Sequence, residues 1–275
     1  MVGYQAVNQS NSRPSVLILG GGFAGISCAS SLSSRHFNVC LVDQKSHFEF
    51  LPNIHEILSG VKRPRDVRLD LTQQMSALQH RFVKASVEGI APEKKQVILN
   101  NGTTLNYDYL VVGLGAIDAS YGVEGIEPNA FSFKSAEQCA AIYHQLNELR
   151  VASKPSRVTI IGAGITGVEA LGEIFRNEQF SHLKITILEA QSRLLPKNSP
   201  ELDRYIRDLC KPYPVDFRCH EAAQRIRKKS VLLRSGESLV SDLPIWTGGP
   251  APSPLLGKSG LAEPAAWAPV DDYLC

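Results

Sequence analysis

The sequence has no long apolar segment, almost no net charge and no closely spaced pair of cysteines. None of its apolar runs approaches the roughly 18–20 residues that span a bilayer, so no transmembrane helix is predicted. The net charge of +2 gives no reason to expect a nucleic acid partner, and the basic cluster Arg225–Lys229 is interpreted as solvated surface. Residues 1–14 lack the basic and apolar layout of a signal peptide and are interpreted as a flexible tail. The hydrophobic content of 43% argues against disorder.

The cysteines and histidines form no recognisable metal or redox motif. The six cysteines stand apart in the sequence, at Cys28, Cys40, Cys139, Cys210, Cys219 and Cys275. Without a CxxC pair they predict neither a zinc site nor a local redox disulfide, and they favour reduced thiols in a cytoplasmic protein. His47 and His55 have no third ligand close by, so no metal site is predicted.

The first strong pattern lies in residues 15–43. An apolar run leads into a glycine turn, a small-residue segment and a second apolar run that ends on Asp43. Gly20 suits the tight turn, Gly22 allows a pyrophosphate to approach, and Gly25 allows the helix to pack on the strand. Asp43 follows Gly20 at about the ~20-residue separation expected of a ribose-binding carboxylate. The stretch therefore predicts a dinucleotide-binding unit.

The same pattern occurs a second time. Gly162, Gly164 and Gly167 follow another apolar run, and Glu189 ends the next one. Two complete units on one chain predict that two adenine dinucleotides are bound together. A carboxylate at Glu189 accepts hydrogen bonds from both ribose hydroxyls and repels a 2′-phosphate, so it favours NADH over NADPH. Arg193 lies close by and is able to soften that preference.

Other segments are assigned from periodicity and turn residues. The predicted helices are Ile26–Ser34, Met75–Leu78, Ala136–Val151, Val168–Arg176 and Glu201–Cys210. A predicted strand, Arg81–Ile90, precedes the hairpin at Asn101, and another, Tyr109–Val112, runs into Gly113 and Gly115. Small residues there let the chain pass close to another backbone or to a flat ligand. The segment 242–249 has the same layout and is expected to return the chain to its first domain.

The motifs together resemble a known family. Their order is GGGFAG with Asp43, HFEFLP, YDYLVVGLGA, GAGITGVEA with Glu189, and DLPIWTGG. This order resembles the flavoproteins with two dinucleotide-binding domains, of the pyridine nucleotide-disulfide oxidoreductase superfamily. It is most similar to type II NADH dehydrogenases, the single-subunit NADH:quinone oxidoreductases. The resemblance runs from Val16 to Leu274.

The resemblance implies a role for each motif. The first unit would bind FAD, through residues Gly20, Gly22, Gly25, Asp43, Pro52, Gly113 and Gly115. The second would bind NADH, with Gly248 near the nicotinamide, through residues Gly162, Gly164, Gly167, Glu189 and Gly248. Glu169 occupies the family's position for a catalytic carboxylate near the flavin and the proton path to quinone. The alternative for Glu169 is an acid in the first helical turn, favoured by the helix dipole.

The resemblance also implies an architecture and an activity. The expected fold is α/β, with two Rossmann-like three-layer domains and the NADH domain inserted in the FAD domain. The expected boundaries are 1–14 for the tail, 15–120 for the FAD domain, 121–241 for the NADH domain and 242–275 for the return. Hydride would pass from NADH to flavin, and electrons would pass on to a quinone or another small acceptor. A homodimer is expected, and no nucleic acid partner.

One family feature is absent from the sequence. In the family, a strand with a Gly-Asp motif that contacts FAD follows the region matching Val270–Leu274. Amphipathic helices that hold the enzyme on the inner membrane lie further on, and neither occurs before Cys275. The chain is therefore interpreted as a truncated member, cytoplasmic or peripheral on that membrane. We expect it to bind FAD weakly and quinone not at all.

Three alternatives remain open from the residues. A sulfide:quinone oxidoreductase needs cysteines at the flavin, for which Cys139 is the candidate, with helix packing as its other explanation. A ferredoxin- or rubredoxin-type reductase needs a basic surface for its protein partner, and Arg225–Lys229 is slight for that. The third alternative is a truncated, non-catalytic remnant that only binds dinucleotides.

Overall fold

The structure is a computed structural model that describes residues 13–152 and 156–275. Residues 1–12 of the predicted tail, and the Lys154-Pro155 pair expected after a helix, lie outside the described residues. No helix among the described residues combines the length and the apolar character needed to cross a membrane.

The described chain alternates short strands with helices. In chain order, the first nine strands are β1 (Ser15–Leu19), β2 (Asn38–Asp43), β3 (His47–Glu49), β4 (Arg68–Asp70), β5 (Arg81–Lys84), β6 (Val87–Ala91), β7 (Gln96–Leu99), β8 (Thr104–Asn106) and β9 (Tyr109–Val112). The later strands are β10 (Ala116–Asp118), β11 (Phe131–Ser132), β12 (Arg157–Ile161), β13 (Lys184–Glu189), β14 (Val215–Cys219), β15 (Ala223–Arg227), β16 (Ser230–Leu233), β17 (Ser238–Val240), β18 (Leu243–Trp246) and β19 (Pro250–Pro252). The helices are α1 (Phe23–Ser31), α2 (Leu71–Ala77), α3 (Ile126–Asn129), α4 (Ala136–Arg150), α5 (Ile165–Arg176), α6 (Pro200–Cys210) and α7 (Pro254–Lys258). Single 3₁₀ segments occur at Leu51–Ile57, Pro64–Val67, Pro92–Lys94 and Glu178–Phe180.

The chain folds into two compact units. Among the described residues, the first unit consists of residues 13–48, Leu69–Ala116 and Pro252–Cys275. The second unit consists of Glu49–Arg68 and of residues 117–152 and 156–251.

The first unit is built on a four-stranded parallel sheet in the order β5-β2-β1-β9. Because side chains alternate along a strand, β1 supplies both faces of this sheet. Ile18 packs on one face with Met75 of α2, and Leu19 packs on the other with Val97 of β7. The strands β6, β7 and β8 form an antiparallel sheet that covers this second face. The layers are thus helices, parallel sheet and antiparallel sheet.

The second unit repeats this arrangement. Its parallel sheet has the order β11-β18-β12-β13-β14, and β15, β16 and β17 form the antiparallel layer. Ile160 of β12 packs with Ala170 of α5, whereas the neighbouring Ile161 packs with Val231 of β16. The predicted α/β fold with Rossmann-like three-layer units is therefore confirmed.

The expected return of the chain to the first domain at residue 242 is wrong. The strand β18 lies in the parallel sheet of the second unit, where Leu243 pairs with Val158 and Trp246 with Ile161. All four of its residues are buried. The segment resembles the one around Tyr109 for a structural reason, because β9 and β18 each pair with the strand that leads into the glycine loop of their own unit. The first unit resumes only at Pro252.

Residues 49–68 lie in the second unit, although the sequence suggested the first domain. Ile54, Ile57 and Leu58 join the hydrophobic cluster that also contains helices α4 and α5. Ser59 donates a hydrogen bond to Glu173 of α5, a carboxylate that is 8% exposed. Arg176 of α5 completes this attachment, because its guanidinium contacts both Glu173 (3.1 Å) and Glu56 (3.4 Å). Side-chain contacts distant in sequence therefore hold the segment on α5.

The predicted single strand over Arg81–Ile90 is two strands. Its first half, β5, pairs with β2 in the parallel sheet, and its second half, β6, pairs with β7 in the antiparallel sheet. Ala85 lies between them and is buried. No glycine or proline separates Lys84 from Val87, so the sequence pattern alone could not show this change of sheet.

Candidate dinucleotide-binding sites

The glycine loop of the first unit lies at the carboxyl end of β1. Gly20 has a φ of +102°, a conformation that favours glycine, and a Cβ on it would lie 2.2 Å from the carbonyl oxygen of Gly113. A Cβ on Gly25 would lie 1.8 Å from the carbonyl oxygen of Gly20. The absence of side chains therefore allows β1, α1 and the end of β9 to meet at van der Waals distance.

The N-terminus of α1 is open and has no side-chain cap. Gly22 is the N-cap residue, its backbone is extended, and no acidic residue lies in the first turn. No protein atom lies within 4 Å of the position that a Cβ on Gly22 would take. The first N–H groups of the helix thus lack intrahelical partners, and they face a space suited to an anion.

Asp43 is fixed beside this loop by two backbone hydrogen bonds. Its Oδ2 accepts from the N–H of Gly21 (2.6 Å), and its Oδ1 accepts from the N–H of Lys45 (2.7 Å). Each carboxylate oxygen can accept more than one hydrogen bond, so acceptor capacity remains for ribose hydroxyls. The loop and the acid that the sequence paired are adjacent in the structure.

The second unit has the same loop geometry. Gly162 has a φ of +108°, and a Cβ on Gly167 would lie 2.0 Å from the carbonyl oxygen of Gly162. Gly164 is the extended N-cap of α5, which has no side-chain cap and no acid in its first turn. No protein atom lies within 4 Å of a Cβ on Gly164. Both helices begin directly after their glycine, earlier than the small-residue pattern predicted.

Glu189 repeats the contacts of Asp43. Its Oε2 accepts from the N–H of Ala163 (2.9 Å), and its Oε1 accepts from the N–H of Gln191 (2.9 Å). The side chain is 9% exposed, so the carboxylate is held rigidly at the end of β13. The two acids therefore bind the same position of their respective glycine loops.

Thr247 belongs to the second loop, and sequence reasoning missed it. It follows β18 as Gly113 follows β9, and its hydroxyl lies 2.7 Å from the carbonyl oxygen of Gly162. It also lies 3.0 Å from the carbonyl oxygen of Ile161. The signal was available in the sequence, since both positions directly follow an apolar strand of the same layout.

Arg193 is engaged elsewhere in its loop. Its Nη2 donates to the carbonyl oxygens of Pro196 and Asn198, both at 2.8 Å. The guanidinium is therefore committed to backbone acceptors close in sequence. Glu189, and not Arg193, is therefore the charged side chain that hydrogen bonds to the second glycine loop.

Glu169 lies in the second turn of α5. Because the helix begins at Ile165 and has no acid in its first turn, stabilisation by the helix dipole at the first turn does not explain this residue. Its side chain is half-buried. The alternative explanation of Glu169 as a first-turn acid is thus wrong.

The remaining predicted residues occupy different surroundings. Pro52 lies in the 3₁₀ segment Leu51–Ile57 of the second unit, whereas the other residues predicted for FAD lie in the first unit. Gly115 has a φ of +67° and open space around its Cβ position. A Cβ on Gly248 would lie 2.3 Å from the indole ring of Trp246, so packing within the second unit already requires a glycine there.

A family model for pyridine nucleotide-disulphide oxidoreductases matches residues 14–275, a range that includes both glycine loops and both acids. The chain belongs to this family. The family's architecture agrees with the two repeated units of the structure.

Three proteins show the extent of the similarity. A probable NADH dehydrogenase of Dictyostelium discoideum is 25% identical over 276 residues, covering 90% of this chain and 61% of the relative. A type II NADH:quinone oxidoreductase of Staphylococcus aureus is 26% identical over 275 residues, covering 91% of this chain and 68% of the relative. The structure of NDH2 from Plasmodium falciparum in complex with NADH has a TM-score of 0.82 at 19% identity, covering 94% of this chain and 60% of that one. The chain thus spans about 61% of the length of the Dictyostelium relative.

The family name includes a disulphide, but the six cysteines of this chain are all free. Cys139 lies in α4 with 0% of its surface exposed. Burial raises the pKa of its thiol strongly, and the nearby Glu49 carboxylate raises this pKa further. The thiol is therefore protonated at neutral pH and unsuited to redox chemistry, because the thiolate is the reactive form. Cys139 acts as a helix packing residue.

The first unit also contains a cavity of about 380 Å³. It is lined in part by Ser15, Asn38 and Arg81, which begin strands β1, β2 and β5. The cavity therefore lies at the amino end of the parallel sheet, opposite the edge that carries Gly20 and Asp43. It is not part of the candidate dinucleotide-binding site of the first unit.

Proposed function

We propose that the chain is an FAD-dependent NADH dehydrogenase, which passes hydride from NADH to flavin and electrons on to a quinone or another small acceptor. The observation that carries this proposal is the repeated site. Each unit combines an uncapped helix N-terminus, a glycine loop and a carboxylate. The carboxylate accepts a hydrogen bond from the N–H of the residue that follows the first glycine of the loop. Two such sites on one chain suit two dinucleotide cofactors that react with each other.

The first unit fits the FAD role. The open space at Gly22 and the free N–H groups of α1 suit a pyrophosphate, and Asp43 retains acceptors for the ribose. We assign FAD binding to residues Gly20, Gly22, Gly25, Asp43, Gly113 and Gly115, which all lie in the first unit, and we do not extend the assignment to Pro52. Of these, Gly20, Gly25 and Gly113 act by letting the backbone close up behind the cofactor.

The second unit fits the NADH role. Glu189 is positioned to accept both ribose hydroxyls, and its charge opposes a 2′-phosphate. Among the described residues Arg193 forms no ion pair with Glu189, because its Nη2 donates to the carbonyl oxygens of Pro196 and Asn198. We assign NADH binding to residues Gly162, Gly164, Gly167, Glu189 and Gly248.

The bound cofactors supply the redox chemistry, with hydride from the nicotinamide and two-electron capacity from the flavin. The protein's residues hold the pyrophosphates by N–H groups and fix the riboses by Asp43 and Glu189. We assign to Glu169 the exchange of a proton at its carboxylate oxygens with the acceptor. Its half-buried position supports this, and among the described residues it forms no ion pair that would hold its charge.

The test of this function is a reductive titration. Purified chain is reconstituted with FAD, made anaerobic and titrated with NADH, and a soluble quinone is then added. We expect the flavin absorbance to bleach with NADH, faster than with NADPH. Because this chain is expected not to bind quinone, its re-oxidation by the added quinone is expected to be slow. A flavin that stays oxidised with NADH would reject the proposal in favour of a non-catalytic dinucleotide-binding protein.

Substituting Glu189→Gln is expected to weaken NADH binding by roughly 10-fold or more. A hydrogen bond to a charged group contributes about 1.5–3 kcal/mol, and about 1.4 kcal/mol corresponds to a factor of ten. Glutamine keeps an oxygen for the N–H of Ala163, so the glycine loop should stay in place, but its NH2 group loses the contact with the N–H of Gln191. Fluorescence titration with NADH and NADPH measures the change, and the preference for NADH should fall. The exposed Asp216→Asn on β14 is the matched control, and an equal effect of both variants would contradict the assignment.

The structure argues against two of the alternative functions. The buried, protonated thiol of Cys139 is unsuited to sulfide oxidation. A basic docking surface for a redox protein is weakened because Arg225 pairs with Glu124 (2.7 Å) and Lys229 with Asp242 (3.2 Å). The small-molecule acceptor is therefore favoured.

We further propose that the protein is cytoplasmic or peripheral on the inner membrane and that it forms a homodimer. The support for these statements is the family resemblance of the two glycine motifs.

A further inference from the structure

Helix α6 carries an apolar stripe on its surface. Leu202, Tyr205 and Leu209 are 36%, 60% and 56% exposed, respectively. Their spacing places them on one face of the helix, next to one another. A contiguous exposed stripe of this kind on a regular helix is typical of a contact with another molecule.

The rotation of α6 is fixed by its inner face, so the stripe cannot turn inward. Ile206 is buried, and Arg207 donates to Asp203 through its Nε at 3.0 Å. Asp203 in turn accepts from the N–H of Leu194 (2.9 Å). A buried side chain and a chain of polar contacts therefore hold the face of the helix next to the stripe against the rest of the second unit.

Four charged residues flank the stripe in a symmetric order. In chain order they are Glu201, Arg204, Asp208 and Lys211. When the helix is reversed about Ile206, each acid takes the position of a base and each base that of an acid. Within one helix they pair as Arg204 with Glu201 (3.2 Å) and Lys211 with Asp208 (2.7 Å). All four side chains are 65% exposed or more, and exposed pairs of this kind contribute little, so they can change partners.

We propose that α6 packs antiparallel against α6 of a second copy of this chain, about a two-fold axis near Ile206. In this arrangement Leu202 lies opposite Leu209 of the partner subunit, and Tyr205 lies opposite the partner's Tyr205. On the same side of the axis, Arg204 faces the partner's Asp208 and Glu201 faces the partner's Lys211. A two-fold interface uses the same surface on both subunits, so that surface must complement itself, as these apolar and charged residues do.

We assign a second copy of this chain as the partner of the stripe, because each charge then faces a charge of opposite sign on the reversed helix. An acidic or a basic partner would leave one pair of these residues beside like charges, which is unfavourable. One pair of short helices buries less than the roughly 800 Å² per partner of a standard interface, so we expect a weak dimer that dissociates at roughly micromolar concentration. This inference names the surface of the proposed homodimer and is independent of the redox function.

The test uses two charge variants and their mixture. Arg204→Glu places an acid opposite Asp208 in its own dimer, and Asp208→Arg places a base opposite Arg204. Each variant alone is expected to be monomeric in sedimentation velocity at a concentration where the native chain is dimeric, roughly 100 µM. Mixed in equal amounts, the two should form a heterodimer, because every facing pair is then of opposite charge.

Controls separate this result from misfolding. Glu88→Arg changes an exposed acid on β6 of the first unit and should leave the dimer intact, whereas Leu209→Ala should weaken it without changing the melting temperature. All of these variants should keep native NADH binding, because no assigned cofactor residue is altered. A monomeric native chain at high concentration, single variants that still dimerise, or a mixture that stays monomeric would each overturn the proposal.

Discussion

Replacing Gly164 by aspartate is expected to abolish NADH binding while the fold keeps its stability. Gly164 is the extended N-cap of α5, and no protein atom lies within 4 Å of a Cβ built there. Aspartate is a favoured N-cap residue, so the free energy of unfolding should stay equal or rise by a few tenths of a kcal/mol. Its carboxylate would, however, occupy the space of the pyrophosphate and repel it.

We expect the affinity for NADH to fall by roughly 100-fold or more, which corresponds to about 2.8 kcal/mol of binding free energy. Fluorescence titration gives the affinity, and urea denaturation gives the free energy of unfolding. Gly22→Asp is the matched variant of the first unit, where FAD binding should be lost and NADH binding kept. Unchanged NADH affinity in Gly164→Asp, or a loss of both cofactors in either variant, would contradict the assignment of the two sites.

Gly167→Ala is expected to destabilise the second unit severely. The added Cβ would lie 2.0 Å from the carbonyl oxygen of Gly162 and 3.1 Å from the hydroxyl oxygen of Thr247. The first of these atoms belongs to the backbone of the tight turn and cannot move without displacing α5 from β12. Overpacking of this kind costs typically 1–3 kcal/mol and occasionally more, and we expect about 3 kcal/mol.

The same helix offers the control for this substitution. Gly172 also lies in α5, but no atom lies within 4 Å of its Cβ position, so Gly172→Ala should raise the free energy of unfolding by up to about 1 kcal/mol. In the first unit Gly25→Ala should behave like Gly167→Ala, since its Cβ would lie 1.8 Å from the carbonyl oxygen of Gly20. Chemical denaturation measures all three variants. Equal stability of Gly167→Ala and Gly172→Ala would show that the close contact has no energetic importance.

Together these substitutions separate the glycines of each loop by physical role. At the second glycine of the motif, Gly22 or Gly164, the missing side chain leaves open space that a ligand could occupy. At the third glycine, Gly25 or Gly167, a side chain would collide with the backbone. The motif alone cannot separate these roles, because both appear in the sequence as glycine. The surroundings of each absent Cβ separate them.

Much of both sites could be predicted from residues close in sequence. The separation between Gly20 and Asp43, and between Gly162 and Glu189, follows from the length of one helix and one strand. The structure brings each acid onto its own loop, as that spacing suggested. The starts of α1 and α5 were predicted too late, because a glycine N-cap gives no capping signal in the sequence.

Other features depended on contacts that no local pattern contains. Arg193 lies close to Glu189 in sequence, yet its guanidinium binds the carbonyl oxygens of Pro196 and Asn198. Thr247 joins the second loop from a strand far along the chain. The direction of a long side chain, or the arrival of a distant strand, is set by packing and not by spacing.

The sequence by itself determined the α/β class, the two dinucleotide-binding units and the acid of each. These are local constraints, since a missing Cβ and the period of apolar residues act within a few turns of chain. Only the tertiary structure decided that residues 49–68 and the strand Leu243–Trp246 belong to the second unit. It also decided which face of α6 stays exposed. The physical reason is that a strand's neighbours and a side chain's burial are set by residues distant in sequence, whose contributions become visible only when the chain is folded.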